Sequence, residues 1–119
     1  MNAVAQFQPP RAQAGSLPVE EWRAVEGFAG YEVSNLGNVR SFKRNKVRPH
    51  LLKPTRGGKA KRALVTLYID SVPHYRLVAR LVCRAFHGEP QPGQQAAHLD
   101  GSVFNDRWDN LEWKSPVGN

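Results

Sequence analysis

The chain has 119 residues, 40% of them hydrophobic and 23% charged, and 17 Lys and Arg against 10 Asp and Glu give a formal charge of +7. That length suits one domain, or two very small units sharing a core, and such a chain buries roughly two-thirds of the surface it exposes when unfolded. No apolar run approaches the ~18–20 residues of a membrane helix, and the single cysteine, Cys83, excludes an intrachain disulfide or a structural Cys₄ or Cys₂His₂ zinc site.

Residues 1–18 combine Gln8-Pro9-Pro10 and Gly15-Ser16 with one charge, Arg11, and no apolar core of signal-peptide length, so they read as a disordered tail. Tyr31-Glu32-Val33-Ser34 then alternates like a strand. Asn35-Leu36-Gly37-Asn38 supplies turn chemistry, and Val39-Arg40-Ser41-Phe42 alternates again, which predicts a hairpin. Residues 43–62 are basic and broken by Pro49, Pro54 and Gly57-Gly58; they read as loops around one short strand at Leu51–Lys53. Residues 63–69 and 74–78 have strand composition on either side of a turn at Asp70-Ser71-Val72-Pro73. Residues 79–86 place Leu81, Val82, Ala85 and Phe86 at helical spacing, with Arg80 and Arg84 on another face and Gly88 at the stop. Cys83 falls among the apolar residues of that helix and is expected to be buried.

Charge is concentrated as well as unequal. No acid lies between Glu32 and Asp70, whereas Arg40, Lys43, Arg44, Lys46, Arg48, Lys53, Arg56, Lys59, Lys61 and Arg62 all do. A field this lopsided attracts polyanions, and nucleic acid is the commonest such partner of a basic protein. The other reading is a solvated basic surface.

The last segment gives a strand ending at His98, a turn at Asp100-Gly101, a polar loop with Asn105, Asp106 and Asp109, and Asn110 before a strand at Leu111-Glu112-Trp113. A helix start at Ser115-Pro116 then carries Asn119. Phosphodiester hydrolysis needs a base for water, a group that orients the base, and charge stabilisation for the leaving oxygen. This order of residues can provide them.

His98-Leu99-Asp100-Gly101, Asn105, Asn110-Leu111-Glu112-Trp113 and Asn119 resemble the HNH endonuclease motif in its homing-endonuclease form. Trp22 followed by residues 30–41 resembles the nuclease-associated modular domain that often precedes it, and Arg80-Leu81-Val82 with Ala85-Phe86 resembles the linking helix. The resemblance covers roughly residues 20–119. It implies an α+β fold: a small N-terminal β module, a linking helix, and a ββα-metal motif cut short in its last helix. The implied division is a tail at 1–18, the modular domain with its basic loop at 19–62, and the nuclease motif with its preceding hairpin and helix at 63–119.

By the same resemblance, His98 is the general base for water attack on the scissile phosphate, and Asn110 holds the loop and imidazole in place. Asn119 helps to hold one Mg²⁺ or Mn²⁺, with Asp100, or Asp106 in the loop, as a supporting carboxylate. Arg80 and Arg84 join the ten bases above as DNA-binding residues, and the partner is double-stranded DNA. The implied setting is the cytoplasm of a bacterial host, with a phage or mobile element as the source. The family usually has Asp or Asn immediately before the His; here that residue is Ala97. The alternative reading is therefore a weakened HNH-fold protein that binds DNA or a protein partner without cutting.

Overall fold

The structure, a computed structural model, describes residues 19–116. The expected tail, Asn119 and most of the expected final helix lie outside the described residues. Four antiparallel strands open the fold in the order β1 (Trp22–Ala24), β2 (Tyr31–Ser34), β3 (Val39–Ser41) and β4 (His50–Leu51). Their centre follows from the alternation in β2 and β3, where Tyr31, Val33, Val39 and Ser41 are buried. The β2–β3 turn is closed by Ser34: its Oγ accepts from the amides of Leu36 and Asn38, each at 3.2 Å.

β1 carried no strand signal of its own; it is three residues held in register by β2, with Trp22 opposite Ser34. The short strand expected at Leu51–Lys53 sits one residue earlier, at His50–Leu51, where Leu51 pairs with Arg40.

β5 (Leu64–Ile69) and β6 (Val72–Leu77) form a separate ribbon. Its turn is tighter than the expected four residues. Asp70 and Ser71 both take positive φ, 50° and 66°, giving the two-residue turn whose twist matches a hairpin. Val72 and Pro73 therefore belong to β6, and Pro73 is tolerated because a two-stranded ribbon has free edges. α1 (Val78–His87) follows without a break and ends at Gly88, φ 85°. β7 (Gln95–His98) and β8 (Leu111–Lys114) form the last antiparallel pair.

One cluster of buried side chains joins all these parts. Val33 and Val39 come from the first sheet, Val65 and Leu67 from the ribbon, Val82, Cys83 and Phe86 from α1, and Ala96 and Leu111 from the last pair. Burying a side chain of the size of Phe86 or Leu67 contributes about 1.5–3 kcal/mol. Desolvation pushes the Cys83 thiol up to about 12, so it is an inert core group. The shared core makes the N-terminal sheet a structural wall of the C-terminal motif.

Candidate active site and nucleic-acid interface

β7 ends at His98, directly opposite Leu111 of β8. Beyond it the chain turns at Gly101, whose φ of +77° favours glycine, and Gly101 N donates to His98 O at 3.1 Å. The loop back to β8 is built from its own polar side chains. Asp100 Oδ1 accepts from the Ser102 amide at 2.8 Å and from Asn110 Nδ2 at 3.1 Å. Asn110 Oδ1 accepts from the Asp100 amide at 3.1 Å, and Asn110 Nδ2 also donates to Asn105 O at 2.8 Å. The Ser102 amide, and after it Asn110, hold the Asp100 carboxyl below the usual carboxylate range. Asn110 thus pins the two ends and the middle of the loop.

The imidazole is held by a different residue. His98 Nε2 lies 2.6 Å from Asp106 Oδ1, and the two side chains are only 5% and 7% exposed. A carboxylate only accepts, so Nε2 carries the proton of this bond, which leaves Nδ1 as the nitrogen that can hold a lone pair. Asp106, expected as a supporting metal carboxylate, is hydrogen-bonded to the imidazole through Oδ1. Nothing in the spacing distinguishes it from Asp100 or Asp109; only the folded loop does.

A cavity of about 270 Å³ borders this pair, lined by Ala97, His98, Gly101, Val103, Arg62 and Lys114 among others. Two cations and no carboxylate line it among the described residues. A divalent ion prefers several charged oxygens. Among the described residues, however, no group of three or more His, Cys, Asp or Glu could hold a metal. Asp106 is committed to His98, Asp100 to Ser102 and Asn110, and position 97 has no donor. The described residues alone do not fit the implied ion.

The basic residues divide into two groups. Lys43, Arg44, Lys46, Arg48, Lys53, Lys59, Lys61 and Arg62 are exposed. Arg40 is tied down: it pairs with Glu32 at 2.6 Å and lies 4.0 Å over the Trp22 ring. Arg80 lies over Trp113 and donates to Gln94 O at 3.4 Å, while Arg84 stands 3.7 Å from Glu89. Arg56 links the basic segment to the site loop. Its Nη1 donates to Val103 O at 2.9 Å and its guanidinium lies over Phe104.

The chain that carries this histidine, carboxylate and pinned loop is similar to known proteins. Residues 20–66 match the NUMOD4 motif. HNH endonuclease L247 of Acanthamoeba polyphaga mimivirus is 33% identical over 98 residues, 79% of this chain and 23% of that protein. DNA endonuclease I-HmuI of Bacillus phage SP01 is 31% identical over 102 residues, 78% of this chain and 51% of that protein. The solved structure of the HNH homing endonuclease I-HmuI superposes with a TM-score of 0.70 at 30% identity, covering 80% of this chain and 52% of that one. The chain belongs to the HNH endonuclease family. It spans about half, or less, of the length of these relatives. The HNH fold expected from the sequence is the fold observed, a mixed α and β structure with one described helix. No helix among the described residues is long and apolar enough to cross a membrane.

Proposed function

We propose that the chain is the DNA-cleaving part of an HNH homing-type endonuclease, with duplex DNA as its substrate. The observation that carries this reading is the buried His98–Asp106 pair at 2.6 Å beside a cavity lined by Arg62 and Lys114. His98 Nδ1 takes a proton from water, and the water oxygen bonds to phosphorus as the bond to the 3′ oxygen breaks. The imidazolium that forms is stabilised by Asp106, which accepts from Nε2 throughout. Asn110 keeps the loop closed beneath the pair. The exposed bases from Lys43 to Arg62 hold the phosphate backbone. HNH nucleases generally use a divalent metal ion, and Mg²⁺ or Mn²⁺ would supply charge stabilisation at the phosphate. The setting that fits this reading is the cytoplasm of a bacterial host, with a phage or mobile element as the source.

A second reading, binding of DNA or of a protein partner without cleavage, is favoured by Ala97, which lines the cavity where the family usually carries a ligand. Plasmid nicking with Mg²⁺ or Mn²⁺ separates the two. Wild type is expected to nick. His98→Ala is expected to lose cleavage while keeping duplex affinity near wild type, since a base acts in the transition state. Residual cutting within a few fold of wild type would remove His98 from the mechanism, and a wild type that binds without nicking supports the second reading.

A further inference from the structure

Asp106 can orient His98 only if its own backbone is fixed, and its loop is short, polar and exposed at the tip. Two elements far away in sequence fix it. The turn of the N-terminal sheet presses on it: a Cβ on Gly37 would lie 3.0 Å from Asp106 O and 3.2 Å from Asp106 C and Cβ, with Gly37 at φ +91°. In the same turn, Asn35 O accepts from the Trp108 amide at 2.9 Å. Asn35 is itself buried and anchored. Its Oδ1 accepts from the Glu21 amide at 2.6 Å and its Nδ2 donates to Val19 O at 3.0 Å. From the other side, His87 at the end of α1 stands with Nε2 2.7 Å from Trp108 O. A carbonyl only accepts, so Nε2–H is the donor.

We infer that Gly37 of the NUMOD4 turn and His87 of α1 are positioning residues for His98, acting through Asp106 and Trp108. The inference rests on His98 as the base, and it makes the N-terminal module part of the catalytic frame. Only glycine allows the turn to approach the Asp106 backbone so closely: a side chain there meets a backbone, which cannot swing aside as a flexible side chain does. A shift of a few tenths of an ångström at Asp106 is passed to a 2.6 Å bond between two buried groups, which has little slack. His87 matters because Trp108 sits two residues from Asp106, and the imidazole ties the carbonyl that also accepts from the Leu111 amide to the end of α1.

The test reads the His98 ring directly, by ¹⁵N imidazole shifts of the full chain at neutral pH. Wild type is expected to show a protonated Nε2 and a lone pair on Nδ1. Gly37→Ala is expected to mix the two tautomers, and to lower kcat tenfold or more with KM and duplex affinity unchanged. His87→Ala should do the same to a smaller degree, and His87→Gln, which returns an amide donor near Trp108 O, should restore the wild-type shifts. Should Gly37→Ala not fold, the His87 pair decides. Wild-type His98 shifts in a folded Gly37→Ala, or in His87→Ala, overturn the inference. The ring signal is independent of cleavage, so a chain that cuts nothing but shows these shifts loses the nuclease reading and keeps the positioning one.

Discussion

Two polar, turn-rich stretches behave in opposite ways. From Asp100 to Asn110 the side chains of Asp100, Ser102, Asn105 and Asn110 bond to backbone amides and carbonyls of the same loop. Asp106 is drawn inside. From Lys43 to Arg62 the bases face water, and local closure comes from Asn45 Oδ1, which accepts from the amides of Val47 and Arg48. The difference lies in what each side chain can bond to. Asn, Asp and Ser reach their own backbone and freeze a loop, whereas like charges without acids repel and remain turned to solvent. The first stretch makes a site of fixed geometry, and the second makes a field. Arg56 joins them, donating to Val103 O across the gap.

The sharpest way to break the fixed side of this contrast is Asp106→Asn. The amide is nearly isosteric, so the loop keeps its shape, but its NH₂ can donate to Nε2 and invert the ring. The proton then moves to Nδ1, which can no longer accept one from water. Loss of cleavage by a factor of ~10²–10⁴ is expected, from removal of an oriented general base. Thermal unfolding should drop by the equivalent of about 1–3 kcal/mol for a buried charged bond. Single-turnover cleavage and calorimetry check the two parts; unchanged cleavage in a folded protein would mean the His98–Asp106 bond is only structural.

The legibility of these regions from sequence follows the same division. The β2–β3 hairpin and α1 could be read because their signals are local: Asn35 to Asn38 for the turn, helical spacing and Gly88 for the helix. α1 extends one residue beyond the expected range at each end. β1 could not be read, because three residues become a strand only when β2 supplies the partner. The site was legible as a set of residue types, with His98 and Asn110 at the ends of a loop. The partner of His98 was not: it depends on which of three aspartates the folded loop turns inward. His87 carries no local signal in the sequence, since its bond to Trp108 O joins positions 21 residues apart.

Replacing Lys43, Arg44, Lys46 and Arg48 by Ala tests the field. These side chains are exposed, so folding should be unaffected. Each phosphate contact adds about 0.9 to the slope of log K against log salt. The slope should therefore flatten by up to ~3.5, and affinity at low salt should fall on the order of tenfold or more for every duplex sequence alike. Fluorescence anisotropy across a salt series measures both. An unchanged slope would make this stretch a solvated surface and move duplex contact elsewhere.

The smallest expected effect lies where field and site meet. Ala97 stands directly opposite Glu112 in the β7–β8 register, so the two share a face of the pair, and it lines the same cavity as His98, Arg62 and Lys114. Ala97→Asp places a second carboxylate beside Glu112, the arrangement of charged oxygens that a hard divalent cation prefers. Binding of Mn²⁺ should tighten by about tenfold, equivalent to ~1.4 kcal/mol. Electron paramagnetic resonance of free Mn²⁺ reads that change without any cleavage. The competing term is local: Arg62 and Lys114 line the same cavity, and an ion pair between either and the new carboxylate would leave less for the metal. Adding Lys114→Gln to Ala97→Asp separates the two terms, because it should raise Mn²⁺ affinity further if Lys114 competes. Cleavage that rises with Mn²⁺ occupancy would mark a nuclease whose described residues lack one ligand. A folded double variant that neither gathers Mn²⁺ nor cuts would favour a cavity adapted to bind phosphate through its cations alone.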